Sequence, residues 1–383
     1  MRVLQVSPFF SPRMGGSARV VYQSSKHLAD RGHQVSVVSG DYGTNYSQFS
    51  ALGQFEQIIF PSVISKWGFY LTPGLIDWIQ KNIGNFEIIH LHELRTFQNI
   101  VVQYFSVKKG IPYVLSAHGT LPIIVQRKFA KRLYDYWFGR SILSHSSRLI
   151  AVSQAELQEY RTVPFPIDRI RVVHNGLDLS EFSPLPEKGN FRHKFSIPDR
   201  KIKVILYTGR LHRQKGLVHL LIAFSELRSQ GRDYVLVIVG PDEGELVHMQ
   251  NLVSRLRLRD KVLIVGPLYG SDKLAAMVDA DVLVYPAYHE IFGLVPLEAL
   301  MCGTPVVVCE GCGMGELIGQ ASAGYLVPFG DATALASALE RAIEHRDEAQ
   351  EKIHKGQLFI RERLDWKKVI LQLENLYLEV INE

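Results

Sequence analysis

Short apolar runs alternate with amphipathic helical patterns along most of the chain, and no other feature of the sequence constrains the fold as strongly. Each run is typical of a parallel strand that is covered on both faces, and a helical pattern such as residues 17–32 ends on a turn residue, Gly32. This order predicts a doubly wound α/β fold. The runs lie at residues 1–6, 34–39, 87–91, 112–116, 148–152, 170–174, 204–209, 234–240, 261–266, 281–286, 304–308 and 324–328.

The alternation breaks at residues 183–201, where prolines and charges replace the periodic pattern. A chain of 383 residues is too long for one ordinary core, so we interpret this segment as a linker between two domains. The predicted boundaries are 1–182 for the first domain and 202–365 for the second, followed by a helix at 366–383. Because ligands of open α/β sheets bind outside the carboxyl ends of the strands, the residues after each strand are the candidate site residues.

Composition and charge exclude several classes of protein. The net charge of +5 is mild and does not indicate a nucleic-acid partner. Three cysteines, Cys302, Cys309 and Cys312, exclude a disulfide framework and suit a reducing cytosol, which predicts a cytoplasmic protein. Cys309 and Cys312 lack a second Cys or His pair at zinc-finger spacing, so we interpret them as free buried thiols. Neither a signal peptide nor a membrane-spanning run of about 18 apolar residues is predicted.

Gly15 and Gly16 follow the first predicted strand and precede a helix whose N-cap is predicted to be Ser17. Glycine lets the backbone approach a ligand closely, and a helix N-terminus attracts anions. Asp41 follows the second strand, where a dinucleotide-binding fold places an acid, but the glycine spacing is not G-x-G-x-x-G. This argues against a nicotinamide dehydrogenase, and a glycine turn without a ligand remains the alternative.

Arg210 directly follows the first strand of the second half, and Lys215 opens the next predicted helix. A guanidinium and an ammonium group at a helix N-terminus form a good clamp for a diphosphate. The spacing is not that of a P-loop. The alternative interpretation is a solvated, charged loop.

Two glutamates, Glu290 and Glu298, flank the apolar segment of HEIFGLVPLEALMCGTPVVV. Gly293 permits an unusual backbone and a proline suits the first turn of a helix, so a helix is predicted to begin near Leu294–Pro296. Glu298 is then predicted to lie in the first turn, where its carboxylate could accept hydrogen bonds from ribose hydroxyls. The alternatives are a capping carboxylate for Glu298 and a surface acid for Glu290.

The pattern E-x-F-G-L-x-x-x-E-A-x-x-x-G-T-P-V in this segment resembles the signature of the retaining glycosyltransferases of family 4, which have the GT-B fold. The resemblance implies two doubly wound, Rossmann-like domains that face each other across a cleft and close on the donor. It further implies that residues 1–182 receive the acceptor, that 202–365 bind a nucleotide sugar and that 366–383 cross back to the first domain. The motifs that support it elsewhere are SAHGTL at 116–121, AVSQAE at 151–156, VVHNGLD at 172–178, YTGRLHRQKG at 207–216 and GYLVPFGD at 324–331.

The same resemblance implies a role for each matching residue. Arg210 and Lys215 neutralise the donor diphosphate, and Gly15 and Gly16 approach the phosphates. Glu298 binds the ribose, whereas Glu290 and His118 contact the transferred sugar. Backbone N–H groups near Phe292, Gly293 and Leu294 hold sugar hydroxyls or phosphate. For His118 the alternative is a histidine whose hydrogen bonds are satisfied at a strand end.

The resemblance also implies transfer with retention, in which the departing phosphate helps to remove the acceptor proton. No carboxylate in the matched motifs is an obvious nucleophile of the kind that retaining glycosidases use. The sequence departs from the family at GCGMGELI, residues 311–318, although Glu316 is in place. This departure affects the expected shape of that loop.

No metal and no cofactor are expected. Asp279 and Asp281 match a D-x-D pattern that other glycosyltransferases use for a metal, but they precede a predicted strand and so lie at its amino end, away from the ligand edge. We therefore interpret them as a helix–strand junction. The expected partners are a nucleotide-sugar donor and a glycan, lipid-linked or small-molecule acceptor.

A basic segment at 101–148 carries eight Lys or Arg residues and one acid, Asp135. A helix predicted at 122–145 places apolar side chains on one face and basic side chains on the other, which is typical of a helix on an anionic membrane surface. This hypothesis adds the inner face of the membrane to the predicted location; the alternative is an ordinary domain helix and a soluble sugar acceptor. The apolar face is Val125, Phe129, Leu133 and Tyr136, and the basic face is Arg127, Lys128, Lys131 and Arg132.

Two other functions compete with glycosyl transfer. A sugar-nucleotide 2-epimerase has the same two-domain fold, but the two-glutamate element argues against it. A non-catalytic protein that binds nucleotide sugars is the third reading, and the intact set of His118, Arg210, Lys215, Glu290 and Glu298 argues against lost activity.

Overall fold

Two parallel sheets, each in a unit of its own, contain most of the strands. The structure is a computed structural model, and it describes residues 1–10, 15–41, 54–64, 69–123, 127–197 and 202–383. The first unit comprises Met1–Gly176 and Leu364–Glu383, and the second comprises Leu177–Arg363. Val125, which the sequence places on the apolar face of the basic helix, lies outside the described residues.

The first unit is built around seven parallel strands in the order β3-β2-β1-β6-β7-β8-β9. Its elements are β1 (Arg2–Phe9), α1 (Gly15–Asp30), β2 (Gln34–Gly40), β3 (Glu56–Phe60), β4 (Val63–Ile64), β5 (Tyr70–Leu71), α2 (Gly74–Asn82), β6 (Ile88–His92), α3 (Phe97–Lys109), β7 (Tyr113–Ser116), α4 (Lys128–Tyr134), α5 (Arg140–Ser144), β8 (Arg148–Ala151), α6 (Gln154–Tyr160) and β9 (Ile170–Val172). Strands β4 and β5 form a separate antiparallel pair. The chain winds from β1 outward to β3 and then returns to the other side of β1, so the switch point of this sheet lies between β1 and β6.

The second unit is built around six parallel strands in the order β12-β11-β10-β13-β14-β15. Its elements are α7 (Asn190–Lys194), β10 (Lys203–Thr208), α8 (Leu217–Ser229), β11 (Tyr234–Val239), α9 (Leu246–Arg255), β12 (Val262–Gly266), α10 (Gly270–Asp279), β13 (Val282–Tyr285), α11 (Leu294–Met301), β14 (Val306–Cys309), α12 (Gly313–Gln320), β15 (Tyr325–Val327), α13 (Ala332–Glu344) and α14 (Arg346–Phe359). Here the winding reverses between β10 and β13, and the crevice outside the carboxyl ends of these two strands is where a doubly wound sheet binds its ligand.

Burial explains why these sequences form central strands. Every residue from Val204 to Tyr207 is fully buried, and so are Val282, Leu283 and Val284 on the neighbouring strand. Strands covered on both faces need continuous apolar runs, which is the pattern that the sequence shows. The prediction of a doubly wound α/β fold is confirmed by both sheets.

The last helix, α15 (Trp366–Ile381), belongs to the first unit. Trp366 packs so closely on Gly176 that a Cβ atom there would lie 2.5 Å from the indole ring. Glycine is therefore required at position 176, where the chain leaves the first unit. Further along α15, Tyr377 is fully buried among polar groups of β1 and β6.

The segment at 183–201 differs from the predicted linker, because its described residues belong to the second unit and include α7. The carboxylate of Asp279 accepts hydrogen bonds from the backbone N–H groups of Gly189, Phe191 and Arg192, at 2.5, 2.8 and 3.0 Å. A short helix that cannot be stable alone is thereby fixed by a side chain far along the chain.

The helix predicted at 122–145 begins later, at Lys128, and continues to Ser144. A π-helical turn at Asp135–Gly139 joins its two α-helical parts, α4 and α5. Arg95 donates to both carboxylate oxygens of Asp135, at 2.8 and 2.6 Å, which holds this turn against the loop after β6. No helix among the described residues is long and apolar enough to cross a bilayer.

Candidate functional site

The loops after β10 and β13 meet at the switch point of the second sheet. Gly216 adopts φ +69°, and a Cβ atom there would lie 2.0 Å from the carbonyl oxygen of Pro286, so only glycine permits this approach. The N–H group of Tyr288 donates to the carbonyl of Gln214 at 3.0 Å. These contacts place Lys215, which lies in a 3₁₀ turn (Arg213–Lys215) rather than at the predicted start of a helix, beside the end of β13.

Lys215, Tyr285 and Glu290 form a buried polar cluster at this point. The Nζ atom of Lys215 lies 2.5 Å from Oε2 of Glu290 and 3.1 Å from the hydroxyl of Tyr285, which donates to the same carboxylate oxygen at 2.7 Å. Burial raises the pKa of Glu290, but the charge and hydrogen bond of Lys215 and the hydrogen bond of Tyr285 outweigh it, so the pKa lies below its ordinary value. Glu290 is therefore a carboxylate at neutral pH, and the ammonium group beside it is held in a fixed position.

Arg210 lies on the same edge of the sheet but is much more exposed. Its guanidinium contacts the carboxylate of Glu243 at 3.1 Å, and 56% of its side-chain surface is accessible to solvent, against 9% for Lys215. Its charge also contributes to the lowered pKa of Glu290. Arg210 and Lys215 thus supply one exposed and one buried positive charge beyond the carboxyl end of β10.

Helix α11 begins at Leu294, as predicted, and Gly293 is its N-cap. A Cβ atom on Gly293 would lie 3.1 Å from Cγ of Glu290, so glycine allows the helix to start directly against this carboxylate. Phe292 and Leu294 are partly buried. The backbone N–H groups at this helix N-terminus lie beside two cations and can bind an anion.

Glu298 lies in the second turn of α11, not in the first turn as predicted. Only 1% of its surface is exposed, and both carboxylate oxygens contact Nζ of Lys273 on α10, at 2.8 and 2.7 Å. A buried carboxylate needs such a counter-charge. Lys273 therefore fixes the orientation of Glu298.

At the switch point of the first sheet, α1 begins at Gly15, so Gly15 and Gly16 form its first turn and Ser17 is not the N-cap. Instead, the hydroxyl of Ser17 donates to Glu93 at 2.9 Å. Glu93 directly follows β6 and adopts φ +61°. Burial raises the pKa of Glu93 to about 7. A carboxyl group that titrates near neutrality thus lies beside the N-terminus of α1.

His118 follows β7 in a left-handed conformation, φ +51°, which is unfavourable for a residue with a Cβ atom. Side chains of α6 accept hydrogen bonds from the residues on both sides of His118. The N–H group of Ala117 donates to the hydroxyl of Tyr160 at 2.8 Å, and that of Gly119 donates to the buried carboxylate of Glu156 at 2.6 Å. Backbone strain maintained in this way is common at functional sites.

Comparison with known proteins assigns both units. The family models for "Glycosyltransferase Family 4" and "Glycosyl transferases group 1" match residues 14–181 and 188–358. An uncharacterized glycosyltransferase of Methanocaldococcus jannaschii is 26% identical over 98% of both chains. A D-inositol 3-phosphate glycosyltransferase of Corynebacterium jeikeium is 35% identical over 71% of this chain and 67% of its own. The chain belongs to glycosyltransferase family 4.

The solved structures show the fold of this family 4 glycosyltransferase. HepE of Anabaena in complex with UDP-glucose superposes with a TM-score of 0.80 at 20% identity, over 99% of this chain and all of that one. The sucrose-phosphate synthase of Thermosynechococcus elongatus gives the same TM-score at 22% identity, over 100% and 99% of the two chains. The predicted GT-B fold and the resemblance to family 4 are both confirmed.

The structure brings some of the predicted residues together within each unit. Lys215 and Glu290 are in direct contact, and the charge of Arg210 acts on Glu290. Glu298 lies one turn into the helix that begins beside Glu290. In the first unit, Gly16 lies in the first turn of α1 beside Glu93, the partner of Ser17, and no atom of the described residues lies within 4 Å of a Cβ atom built on Gly16.

Sequence reasoning missed the residues that hold the predicted ones in place. Tyr285 donates a hydrogen bond to Glu290, and Lys273 forms an ion pair with Glu298. Glu93 accepts a hydrogen bond from Ser17 at the start of α1. Tyr285 and Glu93 directly follow buried strand residues, so attention to every polar residue at a strand end could have found them. No spacing in the sequence connects Lys273 with Glu298, because they lie on different helices.

Asp279 and Asp281 are engaged in structural contacts at the amino end of β13. Asp279 caps α7, as described above, and Asp281 contacts Arg192 and Lys203, each at 3.0 Å. Among the described residues, no group of three or more His, Cys, Asp or Glu side chains could hold a metal ion. Both carboxylates thus have the partners expected of a junction between a helix and a strand.

Proposed function

We propose that this glycosyltransferase moves a sugar from a nucleoside-diphosphate sugar to a glycan, lipid-linked or small-molecule acceptor with retention of the anomeric configuration. The observation that carries the proposal is the cluster of Lys215, Tyr285 and Glu290 beside the N-terminus of α11. It combines a fixed cation, free backbone N–H groups and an ionised carboxylate at the edge where such sheets bind ligands. HepE, which has the same fold, was solved with UDP-glucose.

The diphosphate gains negative charge as its bond to the anomeric carbon breaks. Lys215, Arg210 and the N-terminus of α11 stabilise this charge where it develops. Lys215 and the helix N-terminus are already oriented, so they need no reorganisation at that moment. Backbone N–H groups near Phe292, Gly293 and Leu294 share the phosphate or sugar hydroxyls. Gly15 and Gly16 approach phosphate at the start of α1.

Two carboxylates bind hydroxyl groups in this proposal. Glu290 accepts hydrogen bonds from the transferred sugar, and Glu298 accepts them from the ribose. His118 contacts a hydroxyl of the sugar. Because Glu290 and Glu298 are already paired with lysines, neither resembles the unpaired nucleophile of a retaining glycosidase, which supports same-face attack with the departing phosphate as the proton acceptor.

The proposal is tested with a panel of UDP, GDP and ADP sugars, with and without candidate acceptors. We expect release of the nucleoside diphosphate and a product whose anomeric configuration matches the donor. An epimerised donor with no released diphosphate would support the 2-epimerase, and binding without turnover would support a non-catalytic protein. Inversion in the product would contradict retention while leaving glycosyl transfer intact.

We propose further that the segment from α4 to α5 contacts an anionic membrane surface, which would suit a lipid-linked acceptor. The described residues of its predicted apolar face are exposed: Phe129, Leu133 and Tyr136 have 80%, 48% and 65% of their surface accessible to solvent. The neighbouring Trp137 is 65% exposed. Tyr134 packs inward instead and donates to the carbonyl of Thr96 at 2.8 Å. Exposed aromatic side chains on a basic segment favour peripheral binding to anionic lipid.

Each basic residue near an anionic surface contributes about 1 kcal/mol, so the three exposed cations of the predicted basic face, Arg127, Lys128 and Arg132, give weak, salt-sensitive binding. We expect the protein to co-sediment with phosphatidylglycerol vesicles at low salt and the triple variant Arg127→Gln, Lys128→Gln, Arg132→Gln to lose this binding. A matched control removes three exposed cations near the end of α9, Arg255, Arg257 and Arg259, and should still bind. Equal losses in the two triple variants would show that only net charge matters.

A further inference from the structure

The imidazole of His118 is tied to a second histidine in the first unit. Its Nε2 atom lies 2.9 Å from Nδ1 of His92, and the two rings are parallel to within 1°. His92 is the last residue of β6 and is fully buried, whereas His118 is partly exposed. Among the residues that the structure describes, Nδ1 of His118 has no hydrogen-bond partner. One ring nitrogen is thus fixed by the protein and the other is available to a ligand.

The hydrogen bonds continue inward from His92 to the C-terminal helix. Nε2 of His92 lies 2.6 Å from Oε1 of Gln5, and Nε2 of Gln5 donates to the hydroxyl of Tyr377 at 3.3 Å. All three of these residues are fully buried. Buried polar groups must satisfy their hydrogen bonds within the protein, so this chain has little freedom to rearrange.

Proton positions follow from the orientation of the Gln5 carboxamide, whose oxygen faces His92 and whose nitrogen faces Tyr377. The carboxamide oxygen of Gln5 can only accept, so His92 carries its proton on Nε2. A neutral imidazole then has a lone pair on Nδ1, which can only accept a hydrogen bond. His118 must therefore donate from Nε2, and its Nδ1 is left with a lone pair.

We infer that His92 and Gln5 are positioning residues that fix the tautomer of His118, so that His118 presents Nδ1 as a hydrogen-bond acceptor to a hydroxyl group of the sugar substrate. The inference rests on the proposed function for the identity of that ligand. It adds to that function the direction of one hydrogen bond, in which the substrate hydroxyl donates and His118 accepts.

The charge state of the histidines agrees with this assignment. Burial lowers the pKa of His118 to about 4 and lowers that of His92 well below its ordinary value, with the neighbouring histidines adding to the shift of His92. Both rings are therefore neutral at pH 7, and each has one donor and one acceptor nitrogen. A protonated His118 would have no acceptor to offer.

Two substitutions of His92 separate positioning from packing. In His92→Asn the side-chain carbonyl takes the place of Nδ1 and can still accept from His118. In His92→Gln the terminal amide takes the place of Nε2, which retains the contact with Gln5 but leaves His118 without a partner. We expect His92→Asn to keep most of the wild-type kcat/KM and His92→Gln to lose on the order of 10–100-fold, by analogy with removal of the hydrogen-bond partner of a metal-ligating histidine.

His90 provides a matched control for damage to the core. It lies on the same strand, is 3% exposed and packs against His92 with ring centroids 4.0 Å apart and ring planes tilted by 31°. Its nitrogens contact Tyr377, the inner end of the chain, and Ser116, at 2.6 and 2.8 Å, but they form no hydrogen bond with Gln5, His92 or His118. We expect His90→Gln to lower the melting temperature without changing the tautomer of His118.

The tautomer itself is read from long-range ¹H–¹⁵N spectra of the full-length protein at pH 7, with His118 assigned by comparison with His118→Ala. We expect a protonated Nε2 and an unprotonated Nδ1. A protonated Nδ1, or equal kcat/KM for His92→Asn and His92→Gln, would overturn the inference. If no nucleotide sugar were turned over by the wild type, the proposed function would fail, yet the spectra would still decide the tautomer.

Discussion

The titration of the Glu93 carboxyl group can be measured without knowledge of the substrate. Because burial raises its pKa from 4.5 to about 7, the folded state binds more protons than the unfolded state between these pH values. The contribution of this group to the free energy of unfolding is therefore fully present below pH 4.5 and is lost as the pH rises through about 7.

We expect Glu93→Gln to remove this pH-dependent component. The stability of the variant relative to wild type should increase from pH 4.5 to pH 7, as measured by urea unfolding across that range. Parallel stability curves for the two proteins would show that the carboxyl group titrates normally in the folded state.

Glu298 allows a test of ribose binding at the level of single groups. If its carboxylate accepts from the ribose, removing the hydroxyls and neutralising the carboxylate should be non-additive. For wild type we expect the 2′,3′-dideoxy analogue of the preferred nucleoside diphosphate to bind about tenfold more weakly than the parent, and for Glu298→Gln we expect nearly equal affinities. The measurement is isothermal titration of both ligands.

The interpretation is checked by Lys273→Met, which leaves the carboxylate in place without its counter-charge. This variant should be less stable, because a buried charge has lost its partner. It should still distinguish the two ligands. The same tenfold ratio in Glu298→Gln as in wild type would assign Glu298 to structure alone.

At the scale of elements, the sequence predicts what depends on local patterns. Continuous apolar runs identify central strands such as β10 and β13. A glycine at the N-cap and a proline at the third helical position identify the start of α11. These signals are local, because the periodicity of burial and the chemistry of helix starts act within one element.

Contacts between distant elements could not be predicted in the same way. Helix α7 exists because Asp279, 88 residues beyond Phe191, caps it, and the turn at Asp135 is held by Arg95, 40 residues earlier. Lys273 and His92 were missed as supports of Glu298 and His118 for the same reason. A single sequence carries no signal for such pairs, since their spacing depends on the whole fold.

The contacts at the amino end of β13 support the prediction that glycosyl transfer does not require a metal ion. Asp279 and Asp281 are both occupied by structural contacts, and the cations Lys215 and Arg210 lie at the carboxyl ends of the strands. We expect glycosyl transfer to persist in excess EDTA. Complete loss of activity that manganese or magnesium restores would contradict this prediction and would indicate the two aspartates as candidate metal ligands.

At the scale of the whole molecule, each unit repeats one arrangement. Each contains a parallel sheet whose winding reverses once, and each has polar groups at the carboxyl ends of the strands beside that reversal. The two family models match one unit each. The central claim concerns these groups in the second unit: Lys215 and Arg210, with the N-terminus of α11, bind the diphosphate of a nucleotide-sugar donor, and the ion pair with Glu290 holds Lys215 in place.

The most direct test of this claim is the affinity for free nucleoside diphosphates, measured by isothermal titration with UDP, GDP and ADP. The double variant Lys215→Met, Glu290→Gln removes the ion pair without leaving an unpaired buried charge, and the control Lys203→Met removes a cation at the opposite end of the same sheet. We predict that wild type and control bind one diphosphate equally and that the double variant binds it about 10–100-fold more weakly. Equal affinity in all three proteins would contradict the account.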